Sequence, residues 1–453
     1  MDEALEKQAE TFLRSHPGLR DFDLLIADMN GVFRGKRVSR EKLLKICREG
    51  MYLPASVFAM DVNGETMEET GFGISSGDSD RLCKGIPDTL KSSPWQPGIG
   101  QMMMAMEELD GTPFFGNPRE VLLKLVRGIE KKGLHLQVAF ELEFYLIRSE
   151  RSPGLPPELP LSLIREHSKG QLYALSSLEI CDELLKDIRE HAEEMGIPAN
   201  TSVAELAPGQ FEVNLHHVPD PVLACEHAML LKQVVRGDAR NHGLNATFMA
   251  KPFLEHPGNG MHVHLSLYDD QGANQFATEK DGSMSHDLRF SLAGILDLLS
   301  ESMIFYAPHA NSYHRFEENS YAPSNVSWGH DNRTTALRIP ASAGDASRIE
   351  HRLAGADANP YLVMTVLLAG LLHGLAEQPE LQAESKGNAY LERDRSLPAS
   401  WESSLREFET GSRLASLLGM DFSRLYTNLK RGEQKRFQSI LGAQEYDWYL
   451  NKV

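Results

Sequence analysis

Residues 138–146, with the sequence VAFELEFYL, are the stretch that decides the fold. Apolar residues alternate here with Glu141 and Glu143, and successive side chains of a β-strand point to opposite faces of its sheet. The stretch therefore predicts a strand with an apolar face on a core and two carboxylates, roughly 6–7 Å apart, on the other face. A solvated edge strand is the alternative, but the strongly apolar flanks favour a central strand. Two carboxylates on a central strand repel each other unless cations lie between them.

Three other stretches share this division into an apolar and a polar face: residues 211–215 (FEVNL), 261–267 (MHVHLSL) and 348–353 (RIEHRL). Their polar faces carry Glu212 and Asn214, then His262, His264 and Ser266, then Arg348, Glu350 and Arg352. Glu205 precedes Glu212 across a Pro208-Gly209 turn, so both acids can reach one site. We predict that these strands line one cavity. Its surplus of oxygen ligands favours Mg²⁺ or Mn²⁺ over Zn²⁺.

Arginines follow the same region of the chain, at positions 315, 333, 338, 348 and 352. A guanidinium group binds carboxylate or phosphate through two parallel hydrogen bonds. Ordinary surface salt bridges are the alternative for each residue alone. Arginines in strand-like stretches such as NRTTALRIP and SRIEHRL favour an inward role, so the cavity is suited to divalent metals and a phosphorylated nucleotide.

Composition excludes several classes of protein. The formal net charge of −18 argues against a nucleic-acid-binding surface. No apolar run reaches the length of a membrane span, and the acidic start MDEALEKQAE has no apolar core of a signal peptide. The four cysteines are far apart and show no metal-ligand spacing, which indicates reduced thiols. We expect a cytoplasmic protein that binds neither nucleic acid nor membrane.

The order of elements favours an α+β fold, because strands and helices do not alternate regularly. We predict a helix over 1–16, a hairpin over 20–40 around Asn30-Gly31, a helix over 41–51 and a strand over 56–61. Residues 62–98 are rich in Gly, Ser, Asp and Pro and resemble a loop. Further helices are predicted at 119–132, 221–242, 288–308 and 361–376. We place one domain at 1–108 and a second at 109–453.

The motifs ELEF, ELAPGQFE, GNGMHVHLS, NSYHRF, DNRTTALRIP and RIEHRLAGADANPYL, in this order, resemble those of the glutamine synthetase superfamily. Within it, SWGHDNRTTALRIP and AGADANPYLVM are most similar to γ-glutamyl-amine ligases of the γ-glutamylputrescine synthetase type. The resemblance implies a small N-terminal β-grasp-like domain and a large catalytic domain whose antiparallel sheet lines the active site. It also implies a hexameric ring or stacked dodecamer with active sites between subunits.

The resemblance further implies an ATP-dependent ligase that phosphorylates the γ-carboxylate of L-glutamate and transfers the glutamyl group to a primary amine. Two or three Mg²⁺ or Mn²⁺ ions would serve each site, one held by Glu143, Glu205 and Glu212, and another by Glu141, His262 and Glu350. The implied glutamate-binding residues are Gly258, Arg315 and Arg352. The phosphate-handling arginines would be Arg333 and Arg338, and the nucleotide-side residues His264, Ser266 and Arg348. Asp61 would reach the amine site of a neighbouring subunit.

One departure from the superfamily pattern concerns the nucleophile. Ordinary glutamine synthetases carry a flap glutamate, which helps to bind and deprotonate ammonium, where Tyr321 stands in ENSYAPSN. A tyrosine with a pKa near 10 is a poor substitute for that carboxylate, but its ring can pack on an alkyl or aryl amine. We therefore expect an amine larger than ammonia (a polyamine, a monoamine or an aromatic amine). Phe58, Phe316 and Trp328 are candidates for the entrance.

Two smaller departures are Asp345, where many relatives have a basic nucleotide contact, and Pro257, where many have an asparagine near the glutamate. Two alternatives remain open. One is an authentic glutamine synthetase that uses ammonia, against which Tyr321 argues. The other is a catalytically silent ring protein with a structural or regulatory role, against which the complete set of acids and arginines argues.

Overall fold

The computed structural model describes residues 3–150, 152, 154–166, 171–318, 320–341, 346–392 and 396–450. The N-terminal elements are α1 (Glu3–Ser15), β1 (Asp21–Ala27), β2 (Phe33–Ser39), α2 (Arg40–Glu49), β3 (Met51–Pro54), β4 (Asp80–Gly85), β5 (Lys91–Ser92) and β6 (Ile99–Met106). Among the described residues they form one sheet in the order β2-β1-β6-β4-β3, with β5 beside β6. The parallel pair is β1 with β6. The predicted hairpin at 20–40 is confirmed, with Gly31 in the left-handed conformation (φ 70°) that its turn requires.

The strand predicted over 56–61 is wrong. The strand here is β3, and Ala55–Ala59 form a 3₁₀ helix instead. All five residues of this turn are buried, so the segment lacks the alternation of a half-buried strand. A short, fully apolar run does not distinguish a strand from a buried helical turn. Residues 62–98 are also less loop-like than expected, because they contain β4 and β5.

The second part of the chain contains the larger sheet. Its elements are α3 (Pro118–Glu130), β7 (Leu134–Arg148), α4 (Leu161–Glu166), α5 (Leu175–Ile180), α6 (Asp182–Glu194), β8 (Ala199–Ala204), β9 (Gln210–Leu215), α7 (Pro221–Asn241), β10 (Leu244–Thr247), β11 (Met261–Asp269), α8 (His286–Asp297), α9 (Leu299–Tyr306), β12 (Trp328–His330), β13 (Leu337–Ile339) and β14 (Ile349–His351). The helices α10 (Pro360–Glu377), α11 (Trp401–Thr410), α12 (Arg413–Leu418), α13 (Met420–Gln438) and α14 (Ala443–Tyr449) follow. The helix predicted over 288–308 is interrupted at Leu298, between α8 and α9.

The four strands predicted from their two-faced pattern all belong to this sheet. Its order within the described chain is β12-β13-β14-β11-β7-β9-β8, with β10 on β7. Strand β7 is long and central, because β11 and β9 flank it on its two sides. Most pairs are antiparallel, and β12 with β13 is parallel. The predicted α+β fold, with a largely antiparallel sheet, is confirmed, whereas the domain boundary at 108/109 stays a prediction.

Helix α10 is a core helix of the second part of the chain. It is apolar enough to cross a membrane by length and composition, but 72% of it is buried inside the protein. It packs closely against α8, since a Cβ on Gly374 would lie 1.9 Å from the carbonyl oxygen of Phe290. Its start is fixed by Asn359, whose side chain caps the first turn ahead of Pro360. Its main neighbours are other helices, above all α8 and α3.

Candidate active site

The register of the strands brings the predicted acidic and imidazole residues together. Glu141 on β7 lies opposite His262 on β11, and Glu143 on β7 lies opposite Glu212 on β9. His264, two residues further along β11, lies opposite Glu350 on β14. Residues directly opposite in antiparallel strands point to the same face. A single face of the sheet therefore carries four carboxylates and two imidazoles.

The atoms of these side chains are close enough to share cations. The Nδ1 atom of His262 lies 3.0 Å from Glu141 and 3.9 Å from Glu212. His264 Nε2 lies 3.0 Å from the other oxygen of Glu141. Among the described residues, two groups have their ligand atoms within 4.8 Å of one another: Glu141, His262 and Glu350, and Glu143, Glu212 and His262. The first group coincides with a predicted metal site, whereas in the second His262 stands where Glu205 was expected.

Glu205 stands at the edge of this cluster. Burial, together with the negative charges of Glu143 and Glu141, raises the pKa of Glu205 to about 7. The pKa of Glu212 is raised well above its usual value, first by burial and then by the same two neighbours. Burial also opposes ionisation of Glu141, but hydrogen bonds and charge from His262 and His264 outweigh it and lower the pKa of Glu141.

These shifts indicate a surplus of buried carboxylates over the cations that the chain itself supplies. The donors are mainly oxygens with one or two imidazoles, the set that Mg²⁺ and Mn²⁺ accept. The backbone N–H of Gly260 donates to Glu143 at 2.6 Å, and the Asn214 amide donates to Glu212 at 3.1 Å. Partners of this kind orient metal ligands. The residues present therefore fit divalent cations.

Arg338 and Arg352 border the cluster through Glu350. Arg338 Nη1 lies 2.7 Å from one oxygen of Glu350, and Arg352 forms a close ion pair with the other. Burial raises the pKa of Glu350, but Arg352, the two histidines and Arg338 outweigh it and lower the value to about 2. Arg338 lies on β13 as predicted, whereas Arg333 lies in the preceding turn and is exposed. Arg348 lies just before β14, and its Nε donates to His264 at 3.2 Å.

The residues predicted to hold glutamate lie beside one another. Arg315 is 4% exposed and ends the 3₁₀ helix Ala310–Arg315, and its Nη1 donates to the Leu353 carbonyl at 2.9 Å. A Cβ on Gly258 would lie 2.5 Å from Arg315 Cγ, so only glycine fits there. The buried Nε of Arg352 has no hydrogen-bond partner among the described residues. Such a donor is costly to bury without an acceptor, so it is suited to an anionic ligand.

The residues predicted for the nucleotide side, His264, Ser266 and Arg348, lie close to the same cluster, and each already makes a hydrogen bond within the chain. Ser266 Oγ donates to the Ser347 carbonyl at 3.0 Å, so its hydroxyl ties β11 to the residues just before β14.

His217, which the sequence reasoning missed, lies with its ring centroid 6.0 Å from that of His264. The bridge between Val138 and Val218 holds it there. The sequence feature that could have pointed to His217 is the pair of histidines, His216 and His217, directly after β9. Asp345 lies outside the described residues.

Tyr321 lies on a loop that begins at Arg315. Its backbone adopts the left-handed conformation (φ 59°), and its side chain is 62% exposed. A residue other than glycine in this conformation needs its surroundings to hold it. Ser320 provides part of that support, because its hydroxyl donates to the carbonyl of Arg315 at 2.9 Å and accepts from Ala322 N at 3.3 Å. The loop is thereby tied to an arginine of the site.

The expectation that three aromatic residues line the entrance is largely wrong. Phe58 is fully buried and stacks on Phe114, and Trp328 is 6% exposed and lies on β12. Phe316 is half-buried, with the guanidinium carbon of Arg315 5.7 Å from its ring centroid. Phe58 lies in an apolar run and Trp328 in a short strand, and the fold uses both side chains for packing. Among the predicted aromatics, Tyr321 alone is exposed in the described structure.

Asp61 lies away from the carboxylate cluster. Its Oδ1 accepts from the backbone of Asn63 and Glu65 at 2.8 and 2.9 Å, and its Oδ2 lies 3.2 Å from Arg436. It lines a groove of about 970 Å³ that reaches His314 and Arg436. Within the described part of the chain, none of its hydrogen bonds or ion pairs joins it to the cluster. Its predicted role toward a neighbouring subunit stays a prediction.

Comparison with known proteins places this geometry in a family. Residues 115–449 match the family described as glutamine synthetase, catalytic domain. The γ-glutamylputrescine synthetase PuuA of Escherichia coli K12 is 41% identical, over 99% of this chain and 96% of its own length. A glutamate–isopropylamine ligase from a Pseudomonas species is 32% identical over the whole of both chains. A solved structure of GmaS with ADP superposes with a TM-score of 0.84 at 27% identity, covering 97% of this chain and 99% of that one.

These matches span both sheets and the site. They confirm the resemblance predicted from the motifs and the fold expected from it. The chain belongs to the glutamine synthetase family.

Proposed function

We propose that this protein is an ATP-dependent γ-glutamyl-amine ligase. Its substrates are L-glutamate, ATP and a primary amine larger than ammonia, and its products are the γ-glutamyl-amide, ADP and phosphate. One observation carries the choice of nucleophile. The carboxylate, imidazole and arginine cluster is complete, yet the loop leaving Arg315 exposes Tyr321 where an acid would be needed to hold ammonium. The similar enzymes of Escherichia coli and Pseudomonas, by their names, join glutamate to putrescine and to isopropylamine.

Activation of the acid comes first, because a carboxylate oxygen is a poor leaving group. A γ-carboxylate oxygen attacks the γ-phosphorus of ATP, the bond from phosphorus to the bridging oxygen breaks, and ADP departs. Arg315 and Arg352 are placed to hold the glutamate. Arg333 is exposed and close enough for its charge to act on Glu205, and it would meet the transferred phosphoryl group. When bound, Mg²⁺ or Mn²⁺ ions at the two ligand groups would neutralise the charge that develops on the phosphate oxygens.

Amide formation follows. The amine nitrogen attacks the activated carbonyl carbon, phosphate leaves, and the nitrogen loses a proton to a base. Tyr321 offers an aromatic face and no carboxylate, so it favours an amine with an alkyl or aryl portion. The net charge of −18 is compatible with a polyamine. Because the ring has no carboxylate to hold ammonium, it would disfavour ammonia. Because it can pack on the alkyl or aryl portion of an organic amine, it would favour organic amines.

We also propose a ring assembly, hexameric or stacked, in the cytoplasm. Asp61 lies away from the cluster of its own chain, as expected if it completes the site of a neighbour. Apolar side chains near the C-terminus are exposed in the isolated chain, including Tyr446, Trp448, Tyr449 and Leu450. The buried cysteines Cys47, Cys83, Cys181 and Cys225 are free thiols, which suits a reducing compartment. Mass photometry of the purified protein would measure the number of subunits.

Phosphate release from ATP and glutamate tests the proposal. The assay would compare no amine, ammonia, putrescine, isopropylamine and phenethylamine, with products identified by mass spectrometry. We expect turnover that depends on an organic amine and yields the matching γ-glutamyl-amide. Equal turnover with ammonia would identify an authentic glutamine synthetase. The absence of any turnover would identify a silent ring protein.

A further inference from the structure

The segment around Tyr390 is the feature of the site that has no assigned role. Tyr390 lies in the 3₁₀ helix Ala389–Leu391, and Asn388 caps this turn by accepting from the backbone of Tyr390 at 3.0 Å. The side chain of Tyr390 is 6% exposed. Its hydroxyl donates to the carbonyl oxygen of Ala322 at 3.0 Å. Tyr390 is therefore joined to the residue directly after Tyr321.

Other contacts fasten the same loop to the same segment. The side-chain amide of Asn325 donates to the Ala389 carbonyl, and Leu397 N donates to the Ser324 carbonyl at 3.0 Å. An isolated antiparallel bridge joins Asn325 and Ser396. These contacts hold the far end of the loop. The Tyr390 hydroxyl reaches the tip of the loop, next to the left-handed residue Tyr321.

The surroundings of the Tyr390 hydroxyl connect it to the glutamate-binding region. Burial raises the pKa of Tyr390, while the side chain of Ser320 and the positive charges of Arg352 and Arg315 act in the opposite direction. All three groups therefore lie near the phenol. Ser320 in turn donates to the Arg315 carbonyl. Hydrogen bonds therefore join the hydroxyl and the tip of the loop to Arg315, and the charge of Arg352 acts on the same phenol.

We propose that Tyr390 is a positioning residue for amine selection, acting by holding the Ala322 carbonyl and so keeping Tyr321 in its left-handed conformation. This inference rests on the proposed function. Tyr390 touches none of the reacting groups; it sets where the Tyr321 ring stands when the amine enters. Without the hydroxyl, the buried carbonyl loses its donor and the strained backbone loses its restraint. The ring of Tyr321 would then sample several positions, and amine binding would weaken.

The test is Tyr390→Phe, which removes one oxygen and leaves the ring packing in place. Tyr426→Phe is the matched control, because Tyr426 is also buried and donates one hydrogen bond to a backbone carbonyl, that of Ile304 at 3.1 Å, away from the loop. We expect kcat/KM for the best amine to fall about fivefold to tenfold in Tyr390→Phe, the effect of leaving one buried acceptor unpaired. The KM for ATP should stay within about twofold in both variants, since neither hydroxyl contacts the nucleotide side.

A double-mutant cycle separates positioning from simple loss of stability. If Tyr390 acts through Tyr321, the effect of Tyr390→Phe on the amine kcat/KM should disappear when Tyr321 is already alanine. Equal amine kcat/KM in Tyr390→Phe and Tyr426→Phe would overturn the inference, as would an undiminished effect of Tyr390→Phe in the Tyr321→Ala background. If the wild-type protein shows no amine-dependent turnover, the proposed function fails and this inference with it. A working wild type with an insensitive Tyr390→Phe variant contradicts this inference alone.

Discussion

His262 on β11 lies directly opposite Glu141 on β7, with its Nδ1 3.0 Å from the carboxylate. The pairing is a consequence of strand register: a slip of β11 by one residue would turn His262 to the apolar face, away from Glu141. Because His262 belongs to both candidate ligand groups, this pair lies at the centre of the site.

Replacing Glu141 by glutamine is expected to abolish tight divalent-cation binding and to lower phosphate release by about 100-fold or more, since an amide keeps the size but loses the charge. Glu150→Gln is the control, because Glu150 follows β7 and its side chain is 88% exposed. Mn²⁺ titration followed by electron paramagnetic resonance measures binding directly. Normal Mn²⁺ binding by the Glu141→Gln protein would contradict the assignment.

Divalent-cation affinity of the metal-free protein should rise with pH. The pKa of Glu205 is raised to about 7, so this carboxyl is protonated below that pH and a cation must displace the proton. Affinity is therefore expected to fall as pH drops through about 7, with protons released on binding. Calorimetry in two buffers of different ionisation enthalpy measures that release. The expectation is wrong if affinity is unchanged between about pH 6 and about pH 8.

Tyr321→Glu is expected to shift the preference toward ammonia. A carboxylate at this exposed position supplies the charge that a small cation needs and removes the ring that packs on an organic amine. The ratio of kcat/KM for ammonia to that for the best amine should rise by about tenfold or more. Tyr321→Phe, which keeps the ring, should leave that ratio close to the wild-type value. Competition between the two amines, read from product masses, gives the ratio directly.

The contact between α8 and α10 gives a prediction about stability. Gly374→Ala places a methyl group 1.9 Å from the Phe290 carbonyl oxygen, so we expect a loss of about 1–3 kcal/mol in the free energy of unfolding. Gly128→Ala in α3 is the control without a clash, because no atom lies within 4 Å of the position that an added Cβ would take. It should stabilise the protein by about 0.5–1 kcal/mol through helix propensity. Chemical denaturation measures the free energy of unfolding of both variants. Equal changes in the two variants would contradict the close packing of α10 on α8.

The sequence was most informative where two-faced strands carry the chemistry. Alternation placed Glu141, Glu143, His262 and Glu350 on polar faces, and antiparallel pairing was enough to gather them. It was least informative where an apolar run packs on all sides, as at Phe58, because burial without alternation does not specify the element. The contact from Tyr390 to Ala322 spans 68 positions. No local pattern predicts such a contact, since loop positions are set by the tertiary structure.

The most direct test of the central claim uses L-glutamate labelled with ¹⁸O in its γ-carboxylate. If that carboxylate attacks ATP and an organic amine then displaces phosphate, one labelled oxygen must pass from glutamate to phosphate for every γ-glutamyl-amide formed. We predict labelled phosphate and γ-glutamyl-amide in equal amounts with putrescine or another primary amine, and far less of both with ammonia. Unlabelled phosphate in the presence of amide would contradict activation of glutamate by phosphorylation. An equal amount of labelled phosphate formed with ammonia would contradict the proposed choice of nucleophile.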